Sequence, residues 1–518
     1  MRLMDQANLK VENKTTELNV QNVPFGEFLN NLKARMKLVF HVRADIDQMA
    51  VKRGMPPFVM REIMDLNPLS VGIPSEYGGR GCKMNECIAL LAAASYESLA
   101  LSLTLGINSA LFLQPVAKYA QEEAKSPVFE RFLKHQNMGG LMITEPDYGS
   151  DALNMQTSFS EKNGKYHLQG TKHWAGLTGW AEFWLLTARE QSQSGDLKRD
   201  IDFFICDVNS PGQNIVVEEF YENLGLYQIP YGRNKLDVEI PKMQRLVPKT
   251  TGVKMMLDLL HRSRMQFPGM AMGFIQRLLD ESIAHTKNRL IGGKPLLTYD
   301  QVQQRLGRLQ ASYTICSAMC ANSSEKAGIE NDLFLHGFEA NSVKSVITDL
   351  MQEAAQSATQ LIGAQAYKLN HIAGRSITDS RPFQIFEGSN DILYAQISEN
   401  LVKMMKKVKE SNLFQFLKEF DLTSKSAASM KDMLDFDLNL DLPQRKMVEL
   451  GQILGRIVSF EMVINLGEKG YRSDLIVNGL VFLKQEITSL FQHFNFKNNA
   501  LVVEDYQEES NWTNFIRI

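Results

Sequence analysis

The hydrophobic pattern of this chain changes its period twice, and this change limits the folds that the chain can adopt. From Phe25 to about Gln136 apolar residues recur with the period of an α-helix. Between about Gly139 and Lys249 short apolar or alternating runs are separated by turn residues, which is typical of strands. From about Thr251 the helical period returns. The order helices, strands, helices argues against a sheet built from repeating strand–helix–strand units.

The predicted fold class is α+β with several domains. A polar arm at 1–22 precedes an N-terminal helical domain at 23–138 and a middle antiparallel β domain at 139–250. A C-terminal helical bundle follows at 251–410, and a helical C-terminal extension occupies 411–518. A chain of 518 residues is too long for one ordinary core, so about three or four structural units are expected.

The middle region carries the clearest local signal. Asn163-Gly164 separates the runs 157–159 and 166–168, and Asn-Gly is a preferred pair for a two-residue hairpin turn. Further strands are predicted at 183–187, 203–208, 215–218 and 236–240. Alternate residues of the last strand are expected to face the interior, namely Leu236, Val238 and Ile240. No convincing Gly-x-Gly-x-x-Gly fingerprint is present, so a dinucleotide-binding domain of the Rossmann type is not expected.

Charge and composition limit the binding partners and the cellular location that can be expected for this protein. The net charge is -3 and 44% of the residues are hydrophobic, so there is no basic excess for nucleic acid or anionic membranes. No uninterrupted run of about 18 apolar residues occurs, so no transmembrane segment is expected. The first residues lack the apolar core of a signal peptide, and the cytoplasm is the expected location.

The five cysteines and nine histidines do not form a metal-binding pattern, and no metal is expected. An odd and sparse set of cysteines is typical of a reducing compartment. Cys316 and Cys320 stand four residues apart on a predicted helix and therefore share a face. Either they are small buried side chains or they form a redox or metal pair, and the lack of a second pair of ligands favours burial.

One carboxylate stands just before a helix, in the segment 383–391 with the sequence FQIFEGSND. Glu387 precedes an apolar-periodic run that Ser389 or Asn390 can cap. Apolar neighbours such as Phe386 disfavour the charged carboxylate and raise its pKa toward the range useful for a general base. The alternative is a glutamate that only interacts with the helix dipole, and the pattern alone favours this alternative.

A second segment, 141–151 with the sequence LMITEPDYGSD, has the features of a binding loop. Pro146 and Gly149 bend the chain, and the backbone N–H groups of 149–151 are expected to be accessible. Such a loop can hold a phosphate or the edge of a flavin ring. The alternative is an ordinary loop between strands, which the pattern alone favours.

Together, these two segments resemble the signature regions of the acyl-CoA dehydrogenase family, in the same order and at a similar separation. Further matching segments are 73–79 (IPSEYGG), 170–174 (GTKHW), 288–294 (NRLIGGK) with Gln301, and 360–363 (QLIG). The resemblance spans about residues 25–409. It implies N-terminal helices, a middle β domain, a four-helix bundle, a bound FAD, and an acyl-CoA substrate in fatty-acid β-oxidation.

The resemblance also implies a role for each matching residue. Glu387 corresponds to the catalytic base that removes the α-proton of the acyl-CoA while a hydride passes from Cβ to flavin N5. Cofactor-binding roles fall on Leu141, Ile143, Thr144, Ser150, Trp174, Gly176, Arg289, Gln301, Gln360, Gly363, Ser389 and Asp391. Substrate-binding roles fall on Ser150, Arg264 and Gly388.

The chain departs from the family pattern at several places. Gly176 stands where dehydrogenases of the family carry a serine or threonine that bonds flavin N5, and acyl-CoA oxidases often have glycine there. Two alanines, Ala364 and Ala366, replace glycines of the turn that begins at Gln360. The extension at 411–518 resembles, in place and type, the extra helical domain of very-long-chain dehydrogenases. That likeness favours a homodimer over the tetramer that is common in the family.

Four hypotheses about function follow. The leading one is a dehydrogenase that passes electrons to an electron-transfer flavoprotein. Gly176 motivates an acyl-CoA oxidase that reduces O2 to hydrogen peroxide. A flavin monooxygenase would retain the fold, but Glu387 argues against it because such members usually lack the base. The altered turn at 360–366 motivates a non-enzymatic acyl-CoA-binding or assembly protein.

Overall fold

A computed structural model describes residues 23–497, 501–506 and 508 of the chain, so the predicted arm at 1–22 lies outside the described residues. The N-terminal region consists of helices α1 Phe25–Leu38, α2 Ile46–Met49, α3 Pro57–Met64, α4 Met84–Glu97, α5 Leu99–Asn108, α6 Gln114–Tyr119 and α7 Glu122–His135. The stripe of Leu90, Leu91 and Ala94 on α4 is buried, and α4 packs against a long helix of the C-terminal region. The segment 73–79, which carried part of the family resemblance, lies in the turns between α3 and α4.

The run Leu99–Tyr119 contains α5, a wider helical turn at Ser109–Leu113, and α6. Among the described residues it is the helix long and apolar enough to cross a membrane, with a mean hydropathy of 1.5. Within the protein, 94% of its most apolar window is buried. A buried core helix has the same length and composition, and this run packs as one.

The middle region forms a seven-stranded sheet. Its strands are β1 Gly139–Met142, β2 Ser158–Lys162, β3 Lys165–His173, β4 Phe183–Glu190, β5 Asp202–Asp207, β6 Gln213–Phe220 and β7 Gly232–Pro241. The strand order is β1-β4-β2-β3-β7-β6, with β5 beside β4. Each strand predicted from alternation is present, and the expected inward side chains of β7 are buried.

Most pairings in this sheet are antiparallel, as expected, but β4 pairs in parallel with both β1 and β2. The sequence did not predict these parallel pairings or β1 itself. Alternation reports which side of a sheet a residue faces, and it carries no information about the direction of the partner strand. The β2–β3 hairpin is confirmed, with φ of 52° at Asn163 and 76° at Gly164. Positive φ at both central residues is the geometry of a type I′ turn.

The C-terminal region is a bundle of long helices. Its elements are α8 Gly252–Arg264, α9 Phe267–Asn288, the hairpin β8 Leu290–Ile291 and β9 Lys294–Pro295, α10 Asp300–Lys326, α11 Gly337–Ile362, α12 Ile372–Ser380 and α13 Asn390–Val408. Helices α9, α10 and α11 pack against one another, and α13 packs against α11. Cys316 and Cys320 of α10 are buried free thiols, which agrees with the prediction of burial.

The extension begins with the short helices α14 Leu413–Glu419, α15 Ser424–Ala428 and α16 Lys431–Leu434. Two long helices follow, α17 Gln444–Glu468 and α18 Ser473–Asn495. Helix α17 packs against α10, α11 and α13, and its apolar stripe, which includes Leu450 and Leu454, is buried. A Cβ atom on Gly451 would lie 2.0 Å from the main-chain oxygen of Tyr394, so only glycine permits this close approach of α17 to α13. The extension is therefore part of the bundle core.

Candidate active site

Glu387 lies in a tight turn between a short helical segment, Arg381–Gln384, and α13. Its φ is 54°, in the left-handed region that non-glycine residues rarely adopt, at a cost of about 1–3 kcal/mol. Gly388 follows with a φ of 93°. The rings of Phe383 and Phe386 pack beside the turn with their centroids 4.9 Å apart. The backbone thus holds the carboxylate in a strained and defined place next to aromatic groups.

The two oxygens of the Glu387 carboxylate have different surroundings. Oε1 accepts a hydrogen bond from Ser263 Oγ at 2.7 Å. Oε2 is buried and has no hydrogen-bond partner among the described residues. Burial raises the pKa of Glu387, while the Ser263 hydrogen bond and the charges of Arg264 and Lys344 act in the opposite direction. The raised pKa agrees with the prediction from sequence, and the free oxygen suits a group that accepts a proton.

The residues after Glu387 begin α13 without the side-chain cap that the sequence predicted. Ser389 occupies the N-cap place, but within the described part of the chain its side chain makes no capping hydrogen bond. The amide of Asn390 instead donates to Ser345 O, Thr348 Oγ1 and Asp349 Oδ1 on α11. The Asn390 side chain therefore bonds to α11 instead of capping its own helix. Another predicted cofactor residue, Asp391, lies exposed in the first turn of α13.

Arg264, at the end of α8, bonds to the main chain of the Glu387 turn. Its Nε and Nη2 groups donate to the main-chain oxygen of Glu387 at 3.0 and 2.8 Å. Its Nη1 donates to Asn341 Oδ1 at 2.7 Å. Burial lowers the pKa of Arg264 to about 10. The structure thus brings Arg264 and Glu387 together, and the substrate-binding role of Arg264 stays a prediction.

A second buried basic residue, Lys344 of α11, also bonds to the main chain of the Glu387 turn. Its Nζ donates to the main-chain oxygen of Gly388 at 2.8 Å and to Asn390 Oδ1 at 3.0 Å. Burial, followed by the charge of Arg264, lowers the pKa of Lys344 to about 7. Ser263 thus bonds the Glu387 carboxylate directly, while Arg264 and Lys344 bond the main chain of the turn and act on the carboxylate through their charge. All three favour its ionised form at a site where burial disfavours it.

Sequence reasoning missed Ser263 and Lys344. Lys344 gave a signal, because it stands close to Val343, Val346 and Ile347 in α11 and the residues around it, 340–348, carry no other charge. A lysine on a helix face that is otherwise apolar indicates a buried polar partner. Ser263 gave no comparable signal, since a serine between two arginines is common on exposed helices.

The end of β1 and the loop that follows it contain four of the predicted cofactor residues: Leu141 lies in β1, and Ile143, Thr144 and Ser150 lie in the loop. The main-chain oxygen of Thr144 accepts a hydrogen bond from His173 N at 2.9 Å, which brings this loop beside the 170–174 segment. Ser150 is exposed near the tip of the loop. The structure therefore places together the two β-domain segments that carried the family resemblance.

A buried ion pair anchors this loop. Lys172 Nζ donates to Glu145 Oε1 at 2.8 Å and to the main-chain oxygen of Ile143 at 3.0 Å. The Glu145 carboxylate also accepts from Gln156 N and Thr157 N at 2.6 and 2.9 Å. Burial lowers the pKa of Lys172 to about 8, against the effect of Glu145. Sequence analysis did not predict this pair, which fixes the loop relative to β3.

Trp174 presents a large aromatic surface next to the loop. Trp174 is 52% exposed, and its φ is 56°. Its ring centroid lies 4.5 Å from that of Tyr221. At Gly176 a Cβ atom would lie 2.7 Å from Cδ1 of Ile107 and 3.4 Å from Tyr231. Because Cδ1 is the far end of a flexible side chain, a small side chain at residue 176 requires Ile107 to move.

The four remaining predicted cofactor residues, Arg289, Gln301, Gln360 and Gly363, are exposed in the single chain. Arg289 and Gln301 flank the β8–β9 hairpin, whereas Gln360 and Gly363 lie at the end of α11. Gly363 has a φ of 73°, which only glycine adopts without strain. The alanines at 364 and 366 do not have positive φ, so replacing glycine there does not disturb the turn.

The residues present fit an FAD. The exposed face of Trp174 suits a flat ring system, the Arg289 guanidinium suits a phosphate, and a Cβ atom on Gly363 would meet open space. The buried Oε2 of Glu387 supplies an unpaired proton acceptor. Thr144, Trp174 and their neighbours would hold the ring, and Arg289 with Gln301 would hold the phosphates or ribose.

Comparison with known proteins agrees with this geometry. The sequence matches three descriptions of one family: acyl-CoA dehydrogenase N-terminal domain at 36–136, middle domain at 140–238 and C-terminal domain at 250–402. An acyl-CoA dehydrogenase of Bacillus subtilis (strain 168) is 26% identical over 342 residues, which are 64% of this chain and 86% of that protein.

Two solved structures show the same fold. Butyryl-CoA dehydrogenase from Megasphaera elsdenii superposes with a TM-score of 0.65 at 20% identity, covering 74% of this chain and 99% of that one. An acyl-CoA dehydrogenase from Bacillus anthracis, solved with FAD, superposes with a TM-score of 0.73 at 16% identity, covering 94% of this chain and 92% of that one. The second match is broad enough to include most of the extension. The chain belongs to the acyl-CoA dehydrogenase family, whose members are FAD-dependent oxidoreductases that act on acyl-CoA.

Proposed function

We propose that this protein oxidises an acyl-CoA thioester between Cα and Cβ to the trans-2-enoyl-CoA, with Glu387 as the catalytic base. The observation that carries the proposal is the Glu387 carboxylate, in which Oε1 is held by Ser263 while Oε2 is buried and unpaired. A carboxylate with this arrangement can orient one oxygen and present the other to a substrate proton.

The surrounding residues prepare Glu387 for this step. Ser263 stabilises the ionised carboxylate, whose charged form burial disfavours. Arg264 and Lys344 hold the main-chain oxygens of Glu387 and Gly388, so the turn keeps its strained conformation as the charge moves. Glu387 takes the α-proton, and FAD, when bound, would supply the acceptor for the hydride from Cβ.

The electron acceptor separates two versions of the proposal. A dehydrogenase would pass its electrons to an electron-transfer flavoprotein, and this is the version that we favour. The absence of a side chain at Gly176, beside the loop that would meet the flavin, favours an oxidase that reduces O2 to hydrogen peroxide. Admitting air after the flavin has been reduced by a thioester distinguishes the two versions, because only the flavin of an oxidase would be reoxidised rapidly by O2.

A homodimer forms part of the proposal. The predicted cofactor residues Arg289, Gln301, Gln360 and Gly363 are exposed in the single chain, as expected of residues that meet a cofactor shared between subunits. Sedimentation equilibrium of the purified holoenzyme would give a mass of two chains if the proposal holds, and a mass of one chain would contradict it.

The test of the reaction uses the purified holoenzyme and its visible spectrum. Saturated acyl-CoA thioesters of increasing chain length are mixed with the protein without oxygen, and bleaching of the oxidised flavin band is followed. Glu387→Gln should retain the flavin spectrum and slow bleaching by about 10²–10⁴-fold, since that is the usual contribution of a general base. Glu339→Gln provides a control, because Glu339 is a buried carboxylate that pairs with Lys326.

Bleaching of the wild-type protein by one class of thioester, lost in the Glu387 variant and retained in the control, would support the proposal. A flavin that no thioester bleaches would refute it. Bleaching that survives in Glu387→Gln would refute the assignment of the base while leaving the reaction in place.

A further inference from the structure

A buried polar cluster joins the C-terminal extension to the helix that follows Glu387. Arg456 of α17 is 6% exposed. It donates from Nη1 to Tyr394 Oη at 2.6 Å and from Nη2 to Asp349 Oδ2 at 3.1 Å. Tyr394 Oη in turn donates to the same Asp349 oxygen at 2.6 Å. One carboxylate oxygen of α11 is thus held by a cation that only the extension supplies.

The other oxygen of Asp349 holds both ends of the Glu387 turn. Asp349 Oδ1 accepts from Asn390 Nδ2 at 2.7 Å and from Gln384 Nε2 at 2.8 Å. These two amides stand three residues after and three residues before Glu387. A single carboxylate oxygen therefore fixes the two flanks of the segment that carries the base.

The cluster also reaches the turn by a second route. Asn390 Oδ1 accepts from Lys344 Nζ, and the same Nζ donates to the main-chain oxygen of Gly388, next to Glu387. Contacts of hydrogen-bond length are thus continuous from Arg456 to Gly388, the residue beside the base, by way of Asp349, Asn390 and Lys344.

Arg456 compensates several buried acids at once. Its Nε faces Glu486 Oε2 of α18 at 3.6 Å, and Glu353 of α11 lies close to the same cluster. Burial and the charge of Glu486 raise the pKa of Glu353 to about 7. Arg308 of α10 approaches Glu486 Oε1 at 3.6 Å, but its side chain is 55% exposed. Loss of Arg456 would leave Asp349 with hydrogen bonds from three neutral groups, Tyr394, Asn390 and Gln384, but without its cation. A largely buried carboxylate that loses its counter-charge moves toward water or takes up a proton.

We propose that Arg456 of the C-terminal extension is a positioning residue for the Glu387 turn, and acts by orienting Asp349, which holds Gln384 and Asn390 on either side of the base. The extension is then a structural part of the active site. This inference rests on the proposed function of Glu387, but its first readout does not need catalysis.

The experiment compares full-length holoenzymes that carry Arg456→Met, Arg456→Lys or the control Arg445→Met. Arg445 is a partly exposed arginine on the same helix, where it pairs with Glu449. The first readout is amide hydrogen exchange of the peptide covering 383–391, measured without substrate. Arg456→Met should accelerate exchange there by about tenfold or more, because the turn opens locally. Arg445→Met should leave exchange in this peptide unchanged.

The second readout is the rate of flavin bleaching by the thioester that reduces the wild-type protein. A misplaced base costs about 10–100-fold in kcat. KM should change by less than about threefold, because Arg456 contacts Tyr394, Asp349 and Glu486, none of which has a predicted substrate-binding role. Arg456→Lys, which keeps the charge, should recover part of kcat.

Arg456→Met combined with Asp349→Asn supplies a further test in case the single variant folds poorly. Asparagine retains an oxygen that can accept from Gln384 and Asn390 but has no charge to compensate. The double variant should therefore exchange more slowly at 383–391 than Arg456→Met alone. Wild-type exchange at 383–391 in Arg456→Met, with changes confined to the extension, would overturn the proposal. A wild-type protein that no thioester reduces would refute the reaction only, since the exchange result is independent of it.

Discussion

Replacing Ser263 by alanine tests how the active site keeps its base ionised. Ser263 Oγ donates to Glu387 Oε1 at 2.7 Å, and no other hydrogen bond to this carboxylate is recorded among the described residues. Burial raises the pKa of Glu387, and the Ser263 hydrogen bond is the first of the effects that oppose it. The substitution removes one hydroxyl and leaves the helix, the turn and the two cations in place.

The magnitude follows from the type of bond. A hydrogen bond to a charged group contributes about 1.5–3 kcal/mol, and 1.36 kcal/mol corresponds to a tenfold change in a protonation equilibrium. Taking the lower value, loss of the bond reduces the ratio of ionised to protonated Glu387 by about tenfold at a given pH. Because the bond stabilises the charged form, its loss raises the pKa of Glu387 further. Activity should therefore be lost at the acidic end and return as the pH rises.

The assay is the pH dependence of kcat/KM for flavin bleaching under anaerobic conditions, which reports ionisation of the free enzyme. At pH values below the pKa of the base, kcat/KM of Ser263→Ala should be about tenfold lower than that of wild type. At high pH the two values should converge. Ser317→Ala is the control, since the Ser317 hydroxyl bonds to the main-chain oxygen of Tyr313 on its own helix.

An acidic limb that does not move in Ser263→Ala would refute this reasoning. It would mean that Arg264 and Lys344, with no contribution from the serine, keep Glu387 ionised. A rate that falls equally at every pH would also contradict it, because that result indicates a displaced base with an unchanged proton affinity.

Two further predictions concern the β domain. Lys172→Met leaves the buried Glu145 carboxylate without its cation and should lower the free energy of unfolding in urea by about 3–5 kcal/mol, whereas the exposed Lys165→Met should lower it by less than about 1 kcal/mol. Equal effects of the two lysine variants would contradict the anchoring role. Gly176→Ser should slow reoxidation of the reduced flavin by O2, and Gly176→Ala, which also displaces Ile107 but adds no hydroxyl, is its control. Equal reoxidation rates in both variants would show that the hydroxyl is irrelevant.

Sequence reasoning succeeded where the signal is local. The type I′ turn at Asn163-Gly164 and the buried stripe of β7 follow from neighbouring residues, and both are present. It failed on the cap of α13, because Asn390 bonds to α11 rather than to its own helix. It also failed on the parallel pairing of β4, since alternation does not encode the direction of a partner strand.

The sequence by itself determined the order of helical and β regions, the fold class, the family and the position of Glu387 in the chain. These depend on periodicity and on short motifs, which residues close in sequence specify. Tertiary structure alone decided what surrounds Glu387. Ser263 lies 124 residues from it in sequence, and Arg456 lies 107 residues from Asp349. Hydrogen bonds and the burial that shifts a pKa depend on distance in space, and only the packing of α8, α11, α13 and α17 brings these groups together.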